Sequence, residues 1–204
     1  MIEAFCRKIT DLWCRQNVID RIDAEVYRYG LELLISTVIN FFIVILLSIF
    51  LNKPLRWIPY LIAFIPCRVF GGGYHAKTHW GCSLFTASLF LSVMWCVDRI
   101  PLAWIPNVCV CAAVLALAIQ LWLAPIAADN KPLTVSERKC YRLVTLSLGT
   151  IILLLTVIFK VVQGVVSPRT MMTFVGGECA MVVSMMIGYL SAVRKRTTTK
   201  AQLS

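Results

Sequence analysis

The chain holds two histidines, His75 and His79, and both stand within seven residues of Cys82, just after the run Gly71-Gly72-Gly73. Arg68 and Cys67 precede that run. A thiol must become a thiolate to attack a carbonyl, and a neighbouring imidazole can take the proton. Cys82 falls near the expected N-terminus of an apolar helix, whose positive end favours a negative sulfur. Backbone N–H groups at that terminus, or in the glycine run, could hold an oxyanion. The glycines would also let a substrate backbone approach closely. Spacing alone leaves the base open. His79 would meet Cys82 across one helical turn, whereas His75, at ~10 Å of rise in a continuous helix, must fold back from a non-helical loop. Spacing therefore favours His79 slightly, and Cys67 is the rival nucleophile.

The surroundings of this cluster are those of a membrane protein. Of 204 residues, 59% are hydrophobic and only 15% charged, with a mean hydropathy of +0.80. That composition excludes an ordinary soluble domain. The length allows about six spans of ~20 residues with short loops. A net charge of +10 would suggest nucleic acid in a soluble protein, but in a membrane chain it is expected to set orientation, and no nucleic-acid partner is expected. The nine cysteines are scattered without a CxxC pair, and Cys109-x-Cys111 lies in an apolar stretch. They predict packing residues and no metal site.

Residues 3–28 place Phe5, Ile9, Leu12, Ile19, Ile22 and Val26 at helical spacings among basic residues, which predicts an amphipathic interfacial helix. A helix packed on the protein's own spans would give the same pattern. The charge-free run from Leu33 predicts the first span. The second, from Trp57, has only eleven uncharged residues before Arg68, so it is short or irregular at its end. Three consecutive glycines then break the helix. Further spans are expected over about 80–97, within 100–128, over 143–159 and over 170–193, the last carrying Glu178 as an intramembrane functional candidate. The fold class expected is an all-α polytopic membrane protein with about six transmembrane helices and the N-terminal interfacial helix. It forms one integral membrane domain over 1–204: the amphipathic helix in 1–29, the bundle in 31–193 and a basic tail in 194–204.

Alternating the loops of that six-span reading puts fifteen of the twenty Lys and Arg residues on the side of both termini. The positive-inside rule then places both termini, and the loop from Gly71 to His79, in the cytoplasm. Thiols stay reduced there. The N-terminus has no cleavable signal pattern, so the first span is expected to be retained.

The spacing Arg-x6-His-x6-Cys of Arg68, His75 and Cys82, with Gly72-Gly73 between, resembles the accessory gene regulator B (AgrB) family. The likeness extends over most of the chain. It includes the basic amphipathic start, the six-span hydropathy, and the segment from Ala124-Pro125 to Asp129-Asn130-Lys131-Pro132 before a basic loop. The resemblance implies a bacterial membrane cysteine endopeptidase that removes the C-terminal tail of a small quorum-sensing propeptide and supports closure of a thiolactone ring. It implies Cys82 as nucleophile and His75, rather than His79, as base. Arg68, Gly72 and Gly73 would bind substrate or support the transition state. Lys131, with Arg138, Lys139 and Arg142, could dock the acidic tail of an AgrD-like propeptide. Such an enzyme needs no metal, cofactor or ATP. Its expected partners are the propeptide and the bilayer of the bacterial cytoplasmic membrane, with a homodimer left open. The competing class is a small peptide transporter or exporter, in which Arg68, Glu178 and the broken glycine segment form a site at depth.

Overall fold

The computed structural model describes residues 2–74, 78–126, 134–162 and 164–202. Seven α-helices follow one another among these residues: α1 (Ile2–Arg15), α2 (Ala24–Phe50), α3 (Trp57–Gly71), α4 (His79–Arg99), α5 (Ile105–Leu123), α6 (Val135–Val161) and α7 (Pro168–Gln202). Five of them, α2 and α4 to α7, are long and apolar enough to cross a membrane. The chain is thus an all-α polytopic membrane protein. The helix α3, with 15 residues, is ~22 Å long against a hydrocarbon layer of ~30 Å. The short second apolar segment expected from the early Arg68 is this helix.

The N-terminal segment differs from the expectation of a single helix over residues 3–28. The helix α1 stops at Arg15, Asn17 takes a left-handed φ of 53°, and α2 begins at Ala24, nine residues before the charge-free run. Asn tolerates that conformation better than most residues, and here it turns the chain. The early turns of α2 hold charge because Arg28 pairs with Glu25 at 3.7 Å and Glu32 at 3.9 Å along its own surface. Cys6 and Thr10, one turn apart on α1, are buried where the helix packs on α2, while Phe5 and Leu12 stay exposed.

The bundle is organised around α7. Of its apolar stretch 67% is buried, against 12–28% for the other long helices, and it packs on α3, α4 and α5. Without a hydrophobic force between helices in lipid, close approach of small residues does much of the holding. Gly177 lies so near α3 that a Cβ would come within 2.4 Å of the Tyr60 carbonyl oxygen, and one at Gly176 within 2.4 Å of Val93 on α4. Around these contacts Met181 and Met185 fill the centre, with Tyr60 stacked on Phe64 and edge-on to Phe90. Glu178 is fully buried, and Gln120 of α5 donates Nε2–H to its Oε1 at 3.1 Å.

One end of the bundle is tied by charge. Asp98, near the C-terminus of α4, accepts from Lys53, from Arg56 at 2.7 Å, and lies 3.7 Å from Arg169 at the start of α7. Burial, then the neighbouring Arg56 and Arg169, draw the Lys53 ammonium below its ordinary value. The end of α2, the starts of α3 and α7, and the end of α4 therefore share one face. The three cations and the one anion of this knot fall at the end of α3 opposite the glycine run.

The tight α7 to α3 contact predicts a sharp contrast between two glycines. Gly177→Val forces a side chain against backbone and should cost about 1–3 kcal/mol or more, lowering the yield of monodisperse protein in detergent. Gly30→Ala, where a Cβ meets nothing within 4 Å, should leave that yield unchanged or raised. Equal behaviour of the two in size-exclusion chromatography would contradict the packing described.

Candidate active site

The sequence from Arg68 to Cys82 folds as a helix end, a glycine turn and a new helix start. The helix α3 ends at Gly71, and Gly72 and Gly73 follow with φ of 76° and 135°, both in the region open to glycine. Space demands glycine as strongly as dihedral angle does. A Cβ on Gly72 would meet the Ile126 carbonyl oxygen at 2.0 Å, because Gly72 pairs with Ile126 in an isolated parallel bridge and Ile126 N–H donates to the Gly71 carbonyl at 3.0 Å. A Cβ on Gly73 would sit 2.7 Å from Ser184 Oγ and 2.8 Å from Arg68 Nη1. On the far side of the turn, Gly188 of α7 has its absent Cβ 2.9 Å from the Tyr74 nitrogen. The turn is wedged between α7 and the end of α5.

The new helix begins at Thr78, whose Oγ1 accepts from Gly81 N–H at 3.1 Å. That N-cap fixes the start of α4. Cys82 follows in the first turn, its own N–H donating to the Thr78 carbonyl at 3.1 Å. The sulfur is therefore at the positive end of a 21-residue helix.

Two side chains from other helices reach that sulfur. The Arg68 guanidinium, from the last turn of α3, lies beside Cys82 and interacts with it electrostatically. Asn40 of α2 directs Nδ2 to Cys82 Sγ at 4.0 Å, and its Oδ1 is buried with no partner among the described residues. Arg68 is itself held on two further sides: Nη1 donates to Ser184 Oγ of α7 and Nη2 to the Tyr74 carbonyl at 2.5 Å. Ser184 is fully buried and also accepts from Tyr74 N–H, through its carbonyl at 2.9 Å and its Oγ at 3.2 Å. Among the nine thiols, none of them in a disulfide, Cys82 is half-buried and joined to this polar group, whereas Cys67 is buried in the core.

Of the residues singled out in the sequence, Arg68, Gly72, Gly73 and Cys82 therefore meet at one place. His75 and Lys131 lie outside the described residues, as does the side chain of His79. Glu178, the intramembrane carboxylate, is paired with Gln120. Asn40 and Ser184 escaped the sequence reading. Asn40 had a faint signal, an amide in the middle of an otherwise apolar run, and Ser184 had none, since a serine among Met and Val is ordinary helix packing. Among the described residues no group of His, Cys, Asp and Glu could hold a metal.

Comparison with known proteins identifies the family. The family model described as accessory gene regulator B matches residues 6–191. A relative named accessory gene regulator protein B, from Staphylococcus lugdunensis, is 25% identical over 142 residues, covering 68% of this chain and 70% of its own. No solved structure matches. With nearly its whole length covered, the chain belongs to the accessory gene regulator B family, which places it in the processing of that system's quorum-sensing peptide.

Proposed function

We propose that this protein is a membrane cysteine endopeptidase that cleaves the C-terminal tail from a small quorum-sensing propeptide through a thioester on Cys82. The observation that carries the reading is the sulfur of Cys82 at the first turn of α4 with the Arg68 guanidinium on it. A cation and a helix N-terminus stand beside the sulfur that attacks, where they can answer negative charge as it develops in the reaction.

The sulfur adds to the carbonyl at the end of the pheromone segment and the C=O electrons move onto oxygen. As the oxyanion collapses, the C–N bond breaks, and the proton taken from Cys82 passes to the departing amine of the tail. His75 carries that proton in this reading, a role it takes from the family motif. A cysteine thiol within the substrate then attacks the acyl-enzyme, its S–C bond forming as the Cys82 S–C bond breaks and its proton returning to the enzyme. A thioester is exchanged for a thioester, so ring closure needs no ATP. Gly72 and Gly73 keep the approach to Cys82 free of side chains, and Lys131, with Arg138, Lys139 and Arg142, attracts the acidic tail. The site opens to the cytoplasm, where both termini also lie, in the bacterial cell membrane.

The reading predicts that Cys82→Ser and His75→Ala abolish cleavage of a co-expressed cognate propeptide, measured by immunoblot, while membrane insertion is retained. Processing by Cys82→Ser at the normal rate would rule the endopeptidase out and leave a transport role. Arg68→Lys retains charge but cannot reach Cys82, Ser184 and Tyr74 together, so it should slow cleavage about tenfold or more, the scale of a lost charge-assisted hydrogen bond. Unchanged turnover in Arg68→Lys would show that charge alone suffices.

A further inference from the structure

The structure holds one polar side chain at Cys82 that the mechanism above does not use. Asn40 stands midway along α2, a helix whose neighbours Phe41, Phe42, Ile43 and Val44 are apolar. A carboxamide there is costly in lipid unless its groups are matched. Ser36, one turn earlier, is buried on the same edge, so this strip of α2 faces protein where α2 packs on α4. In the resting site the match is poor. Asn40 Nδ2 has only the sulfur, at 4.0 Å, and Oδ1 has no partner among the described residues. Sulfur is a weak acceptor, so the Nδ2 hydrogens are barely engaged. Arg68 differs, because Nη1 and Nη2 are already committed to Ser184 Oγ and the Tyr74 carbonyl.

We propose that Asn40 is a further catalytic residue, the side-chain donor to the oxyanion that forms when Cys82 attacks the peptide carbonyl. This rests on the reading of Cys82 as nucleophile. When the S–C bond forms, the former carbonyl oxygen stands two bonds from Sγ and carries the negative charge. A donor serves it from about 2.7–3.1 Å. An amide nitrogen 4.0 Å from Sγ is placed for an oxygen attached one atom beyond the sulfur. The oxyanion is a far stronger acceptor than the thiol, so Asn40 is matched in the transition state and not before it, which is the condition for lowering the barrier. No proton is transferred by Asn40. The oxyanion collapses with C–N cleavage as above, and the hydrogen bond weakens as charge leaves the oxygen.

The test uses the full-length protein reconstituted in liposomes with a synthetic AgrD-like propeptide that has an amphipathic leader, an internal cysteine and an acidic C-terminal tail. Turnover is compared with the rate at which iodoacetamide alkylates Cys82, read at that residue by peptide mapping. Asn40→Leu and Asn40→Ala should lower kcat by about 10²–10³-fold with KM little changed, the scale of one lost oxyanion donor. Cys82 alkylation should stay near wild type, because the donor acts on the oxyanion and not on the thiol. Asn40→Gln, which retains the amide, should recover part of the turnover. Leucine suits a membrane span, so insertion should survive that change. Turnover near wild type in Asn40→Leu overturns the proposal. So does alkylation that falls in step with turnover, which would mark Asn40 as a packing residue. If wild-type protein leaves the propeptide intact, the endopeptidase reading itself fails and the role of Asn40 falls with it, an outcome distinct from both.

Discussion

A guanidinium placed among membrane helices must have its N–H groups engaged and its charge answered, or the helices that bury it separate. Arg68 meets that demand with groups from three parts of the chain: the Ser184 hydroxyl of α7, the Tyr74 carbonyl of the glycine turn, and the Cys82 thiol of α4. Each contact positions something else. Ser184 ties the end of α3 to the central helix, Tyr74 fixes the exit of the turn, and Cys82 has a cation in place at its sulfur. A residue that would be a liability in the bilayer becomes the point through which α3, α4 and α7 define one geometry.

The glycines follow from that constraint. Ser184 and Arg68 can close on the turn only if position 73 has no Cβ, and α7 can lie against the turn only if position 188 has none. Position 72 is reserved by backbone pairing with Ile126, which brings the end of α5 to the same place. The glycine run thus serves packing as much as access: it is where backbone replaces side chain between the guanidinium and two helices. Such a site is assembled by folding the whole bundle.

What could be read in advance follows the range of each interaction. The long apolar runs, the early arrest at Arg68, the glycine break and the thiol just beyond it are properties of neighbouring residues, and they located α2 to α7 and half of the site. The break after α1 turned on Asn17 taking a left-handed φ, a local preference too weak to outweigh the hydrophobic periodicity that ran through it. Asn40, Ser184 and Gln120 act on residues 42, 116 and 58 positions away. Periodicity carries no record of such distances, so these partners became visible only when the helices were packed together.

The shortness of α3 joins the two ends of the molecule. Along α4 the Asp98 knot and Cys82 are 16 residues apart, and along α7 Arg169 and Ser184 are 15 apart, so the charged knot and the site are separated by ~22–24 Å. That interval is less than the ~30 Å of a hydrocarbon layer. If the knot, with its partly exposed Lys53, Arg56 and Arg169, lies at the polar boundary on one side, Cys82 and Arg68 lie below the boundary on the other. A short helix pinned at Asp98 by its entry and at Ser184 by its exit would then hold the glycine turn and the thiol below that boundary. At such a depth water is scarcer than at an open surface, so charge on a reacting oxygen would be answered by fixed donors more than by solvent, and electrostatic help from a few side chains would count for more.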